Sequence, residues 1–274
     1  MLFRSMNKFA AVVLAGQRAG PHPVALAAGV AAAVLAPIGG KPMLGRVLEA
    51  LAAAQCVNGG LIAGDEVLLD SCSDLGRIAQ ASGFRVVPAQ AGPSASAGAT
   101  VMSLGRFPCL VTTGDHPLLT AAVVDEFCAQ ALDSGADLAV GIVKHCDVMA
   151  RLPNTQRTSI KFADGAICGC NLFAVCTPAG LGAIALWQKV EADRKKPWRV
   201  MRLLGVSALL AYVFGRLTST AALARLSTLA KCEISFVALS KPEMAVDVDT
   251  VADWHLVERI FSERGPTAAS AAGS

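Results

Sequence analysis

The sequence predicts an α/β fold built on a mostly parallel sheet. Strand-length apolar runs alternate with helix-length patterns, which is the signature of βαβ units. Those runs are apolar throughout, as in strands buried on both faces. The composition agrees: 54% of the 274 residues are hydrophobic and 16% are charged, with a net charge of +3. So apolar a chain excludes disorder over most of its length. So small a net charge, with Lys and Arg not massed over the whole chain, argues against a nucleic-acid binder.

Ala10-Ala11-Val12-Val13-Leu14 reads as a buried strand, and Met43 to Ala54 as a helix after Gly-Gly-Lys-Pro. Gly60 to Ala63 and Phe84 to Val87 are short strands, with a helix from Ser73 to Ala81 between them. Cys109 to Thr113 is another buried strand, Thr120 N-caps a helix running to Ser134, and Leu138 to Val143 is a strand. From Thr177 to Leu229 the pattern is helical, with a last strand at Glu233 to Leu239. The organisation expected is one domain over 1–264 with a helical insert near 177–231, then a small, polar, disordered tail at 265–274. In parallel sheets ligands sit beyond the carboxyl ends of the strands. That places the residues after Leu14 and after Thr113 on the active edge.

No stretch reads as a membrane-spanning helix: the apolar run Leu203 to Phe214 has 12 residues, against the ~20 needed to cross a bilayer. Phe9 to Ala15 is too short and ends too polar for a signal peptide. Nine cysteines, an odd number without a CxxC pair, read as buried reduced thiols in a cytoplasmic protein.

Two segments bear the first chemistry. Leu14-Ala15-Gly16-Gln17-Arg18 is a loop low in side chains directly after a strand, where backbone N–H groups can approach phosphates and Arg18 adds a positive fork. It is followed by Pro37-Ile38-Gly39-Gly40-Lys41-Pro42-Met43-Leu44. Together they resemble the GT-A-like, MobA-like nucleotidyltransferases, whose pattern runs LAxGxxxR and then K-x-L-x-P-[VI]-x-G-[KR]-P-[ML]-[LI]. The resemblance implies a Rossmann-like three-layer α/β/α fold. It also implies Mg²⁺-dependent transfer of a nucleoside monophosphate from an NTP to a phosphorylated small-molecule acceptor. The family's phosphate lysine falls at Ala33. Either another cation such as Arg18 has taken over its charge, or the protein is a catalytically weakened nucleotide-binding regulator or scaffold.

Val111-Thr112-Thr113-Gly114-Asp115-His116-Pro117-Leu118-Leu119 resembles the family's GDxPLL, which makes Asp115 a metal ligand, or else a turn cap. His116 falls in the variable position and is expected on the rim. Val246-Asp247-Val248-Asp249-Thr250-Val251-Ala252-Asp253 resembles [DN]-[IV]-[DN]-T-x-x-[DE]. There Asp247 is the second ligand, while Asp249 or Thr250 caps a helix and Asp253 closes a capping box. The Gly/Ser/Pro loop holding Gln90, Ser94 and Ser96 resembles the nucleobase segment, and Asn171 the acceptor strand, although a strand-edge Asn explains the latter equally. The resemblance thus implies catalysis by Arg18, Asp115 and Asp247. It implies nucleotide binding by Leu14, Ala15, Gly16, Gln17, Gln90, Ser94, Ser96 and Gly114.

Five cations in the nine residues 194–202 flank Pro197 and Trp198 ahead of the Leu203 to Phe214 run. This segment, 194–216, is a core helix with a solvated basic end, a peripheral membrane contact that admits a lipid-like acceptor, or a binder of the acceptor's phosphate.

Overall fold

The structure, a computed structural model, describes residues 8–17, 20–70, 72–153, 155, 157–192 and 205–263. Its centre is a mixed, mostly parallel sheet. The strands are β1 (Phe9–Leu14), β4 (Val57–Gly64), β5 (Phe84–Pro88), β6 (Cys109–Thr113), β7 (Leu138–Lys144), β8 (Ile160–Phe162), β9 (Gly165–Val175) and β10 (Ile234–Ala238). The short β2 (Pro37–Ile38) and β3 (Lys41–Pro42) form a separate antiparallel pair. The order across the sheet is β10-β7-β9-β6-β1-β4-β5, with β8 joined to β9. Only β9 is reversed: it runs antiparallel to its neighbours β6, β7 and β8.

β1 shows why the strands read as unbroken apolar runs. Ala11 and Val13 enter the core on one face of the sheet. Val12 and Leu14 enter the core on the other. On the first face lie α2 (Met43–Ala53), α6 (Ala121–Asp133) and α11 (Val251–Glu263). On the second lie α5 (Pro93–Leu104) and α8 (Leu181–Ala192). Thr120 caps α6 by accepting from the Val123 N–H, as its position predicted.

The region predicted as a helical insert holds α8, α9 (Val206–Val213) and α10 (Ser219–Ala230). The basic run 194–202, Leu203 and the predicted tail lie outside the described residues. Asp164, in the turn between β8 and β9, accepts from the Ser219 N–H at 2.9 Å and from its hydroxyl at 2.6 Å. This pins the start of α10 to the β8–β9 turn. At the end of α9, Leu210, Tyr212, Val213 and Phe214 are 43–72% exposed. No helix among the described residues is long and apolar enough to cross a membrane.

All nine cysteines are free. Cys146 is exposed, Cys72 and Cys176 are partly covered, and the rest are buried. Burial pushes the Cys109 thiol up to about 12 and the Cys170 thiol above the ordinary thiol range. Because the thiolate is the reacting form, a disulfide reagent added to the native protein is expected to modify Cys146 first. Cys109, Cys128 and Cys170 are expected to react only on unfolding. Peptide mass mapping over time checks this, and early labelling of Cys109 would contradict the packing.

Candidate functional site

The loops that follow β1 and β6 meet at the carboxyl edge of the sheet. The Gly114 N–H donates to the Leu14 carbonyl at 2.8 Å, tying the loop after β6 to the end of β1. The Ala15 N–H is likewise used, donating to the Ala63 carbonyl at 2.8 Å. Among the described residues, the backbone N–H groups of Gly16 and Gln17 make no such bond. A Cβ at Gly16 would lie 3.0 Å from the Ala89 side chain, so the loop packs closely on the segment after β5. Arg18 lies outside the described residues.

Asp115 and Asp247 stand 132 positions apart in the sequence, yet the fold joins their backbones: the Val248 N–H donates to the Asp115 carbonyl at 3.0 Å. Asp115 Oδ1 is buried and has no hydrogen-bond partner. Burial chiefly, with the negative charges of Asp247 and Asp249, pushes the Asp115 carboxyl up to about 6. A buried carboxylate oxygen without a donor, facing other carboxylates, fits a hard divalent cation. Among the described residues no cluster of three or more His, Cys, Asp and Glu forms a complete cation site. Asp115 and Asp247 alone supply fewer side-chain ligands than a cation site made wholly by protein would need.

Asp247 is held from both sides. Asn171 Nδ2 donates to its Oδ2 at 3.1 Å, and Arg157 Nη1 donates to its Oδ1 at 3.3 Å. Asn171 reaches it from a distortion in β9, where Cys170 to Leu172 oppose the single residue Gly141 and Asn171 takes a positive φ of 49°. Asn has a lower cost there than most residues. Asp253 forms the predicted capping box: its Oδ2 accepts from the Thr250 N–H and hydroxyl, and its own N–H donates to Thr250 Oγ1. Its Oδ1 takes a second bond, from Arg157 Nη2. Arg157 has no place in the predicted motifs. It precedes β8 in a polar stretch with no periodicity, and only the fold gives it a role.

Three expectations need correcting. His116 is not on the rim but 1% exposed, packed beside Met244 and Asp247. The Gly114-Asp115 turn sends Asp115 toward the site and the next side chain inward. Burial lowers the imidazole to about 4, against the pull of Asp247, so it is neutral near pH 7. Ser94 and Ser96 lie not in a loop but in the first turn of α5, 3% and 5% exposed, because Gly92-Pro93 starts the helix early. Ser96 Oγ accepts from the Gln90 N–H at 2.8 Å, so it shapes the loop. Gln90 is exposed. It lines a cavity of about 840 Å³ between α5 and α8, with Gln188 and Glu191 on the opposite wall.

The Pro37 to Lys41 segment is a structural hub. Arg46 donates to the Ile38 and Gly39 carbonyls and stacks 4.0 Å over Phe261. From α11, Trp254 Nε1 donates to the Pro37 carbonyl, and Glu258 accepts from the Gly39 N–H. Lys41 pairs with Glu49 at 2.6 Å. Ala33 lies in a short 3₁₀ turn, packed against the core.

The MobA-like NTP transferase domain matches residues 11–148 of this chain. A hypothetical transferase from Thermus thermophilus is 30% identical, with a TM-score of 0.73 over 90% of this chain and 99% of its own. Two further structures share the fold at lower identity. One is a CMP:2-keto-3-deoxy-manno-octonic acid synthetase complexed with CTP, at 14% identity and TM-score 0.55, covering 94% of this chain and 99% of its own. The other is a nucleotidyl transferase from Methanothermobacter thermautotrophicus, at 16% and 0.54, with the same coverage. None of the curated proteins matches.

Proposed function

The chain belongs to the MobA-like NTP transferase family, and on that premise we propose that it moves a nucleoside monophosphate from an NTP to a phosphorylated acceptor. An acceptor phosphate oxygen bonds to the α-phosphorus, the bond to the β-phosphate oxygen breaks, and pyrophosphate leaves. The observation that supports this reading is the Val248 to Asp115 backbone hydrogen bond, which ties the segment of Asp247 to the turn after β6.

In this reading Asp115 and Asp247 hold Mg²⁺, which when bound offsets charge on the phosphate oxygens. The Gly16 and Gln17 N–H groups and Arg18 cradle the phosphates. Gln90 faces the base, and Asn171 orients Asp247 at the acceptor side. The protein's contribution is positioning and charge placement, with no covalent intermediate. Nine free thiols support a reducing, cytoplasmic setting. The test is pyrophosphate release from each of the four NTPs with a panel of phosphorylated acceptors. Release that needs both an NTP and an acceptor is expected, and no release above background from any pairing would overturn the reading.

Ala33 favours a second reading, a nucleotide-binding regulator or scaffold of the same fold. Ala33→Lys separates the two. If Arg18 supplies the charge, the variant changes pyrophosphate release by less than ~10-fold. If the parent is silent and the variant releases pyrophosphate, the weakened-enzyme reading stands.

The exposed Leu210, Tyr212, Val213 and Phe214, following a basic run in the sequence, support peripheral contact with an anionic bilayer and a lipid-like acceptor. Flotation with anionic vesicles at low salt is expected to carry the protein. Protein left entirely in the dense fraction would remove this contact.

A further inference from the structure

Asp115 and Asp247 are unequal partners. Asp115 presents a buried oxygen with no donor. Both oxygens of Asp247 are engaged by this chain's own donors, Oδ1 by Arg157 and Oδ2 by Asn171. The Arg157 side chain is 7% exposed and bridges two carboxylates, Asp247 at 31% and Asp253 at 15% exposure. A guanidinium is a fixed cation whose planar fork matches carboxylates. A divalent ion drawn to Asp247 therefore meets a fixed cation already bound to the same carboxylate.

We propose that Arg157 is the site's built-in counter-ion: it competes with a divalent cation for Asp247 and keeps the affinity for the free ion low. The ion is then held firmly only when triphosphate oxygens add their negative charge, so that metal and nucleotide enter together. The inference rests on the assignment of Asp115 and Asp247 as the ion-binding pair. A purely structural Arg157, tying the segment before β8 to the cap of α11, predicts a different outcome. Its removal would loosen Asp247 and weaken metal binding. Removing a competing charge strengthens it, because a unit charge within several ångströms of a divalent ion in a partly buried site shifts binding by roughly tenfold or more.

The experiment is a titration of the full chain with Mn²⁺ alone, followed by the paramagnetic resonance of the free ion. Arg157→Gln is expected to bind Mn²⁺ at least ~10-fold more tightly than the parent. Arg157→Lys, which keeps the charge, is expected to stay within about threefold of it. In the Arg157→Gln/Asp115→Asn double variant the gain is expected to vanish. Equal or weaker binding by Arg157→Gln overturns the proposal, as does a gain that survives the loss of Asp115. Should Arg157→Gln unfold without metal, Mn²⁺ must raise its melting temperature more than the parent's. A variant that Mn²⁺ fails to rescue counts against the proposal equally. A parent that releases no pyrophosphate, alongside a variant that gains Mn²⁺ affinity, would strike the transferase reading and leave the counter-ion standing.

Discussion

Asp115→Asn is expected to lower pyrophosphate release by roughly 10²–10³-fold or more, and at the same time to make the metal-free protein more stable at pH 7. The first effect follows from removing a carboxylate that acts where charge builds up. The second follows from its environment. Burial raises the Asp115 carboxyl to about 6 from an ordinary 3.8. A raised native value means that the folded state holds the proton more tightly than the unfolded state. The stabilisation is full below about pH 4 and is lost as the pH rises through 6, a change of about 3 kcal/mol.

His116 works in the opposite direction. Burial lowers it to about 4 from 6.5, so its contribution is full above pH 6.5 and is lost as the pH falls toward 4. In the parent the two slopes oppose each other between pH 4 and 6.5, and the profile is nearly flat. In Asp115→Asn only the His116 slope remains, so stability climbs with pH across that window. Urea titrations of both proteins in chelator at pH 4.5 and 6.5 check this. Parallel pH profiles would contradict the burial of Asp115.

Gly60→Ala is expected to destabilise the fold by about 3–5 kcal/mol, much of the margin of an ordinary domain. A Cβ at this position would stand 1.9 Å from the Ala11 carbonyl oxygen and 2.7 Å from its carbon. Both are backbone atoms of the neighbouring strand, and neither can rotate away. The register between β1 and β4 shifts at this level, between Phe9 and Ala11. Gly59 beside it has a positive φ of 63°. The substitution therefore pushes β1, the strand that delivers the Ala15 to Gln17 loop, away from β4. Urea unfolding measures the loss, and a loss below about 1 kcal/mol would show that the two strands separate easily.

The parts of the fold legible in the sequence were those set by local chemistry. The β1 run, the Thr120 cap, the Thr250–Asp253 capping box and the helix at Ser73–Ala81 each follow from residue types at fixed spacing. Asp115 was legible because a short polar turn follows a buried strand. What escaped depends on contacts between distant segments. Arg157 meets Asp247 across 90 positions and Asp253 across 96, and no local pattern announces an arginine that the fold will bury. His116 reads as a polar residue in a turn, and only the approach of the Met244 to Asp247 segment covers it. Ser94 and Ser96 carry loop composition, yet Pro93 at the first helical position commits them to α5.

The bond between Val248 and Asp115 also sets an order of events in biosynthesis. The strands that carry Asp115 leave the ribosome well before residue 247, and domains begin to organise from the N-terminal side. Until the segment ending in α11 arrives, the nascent chain holds one of the two carboxylates and Arg157 has neither of its acidic partners. An incomplete chain that stops short of this segment can form much of the sheet and still lacks half of the candidate ion site. Arrival of the segment from Asp247 to Asp253, rather than folding of the central sheet, is the step that assembles it.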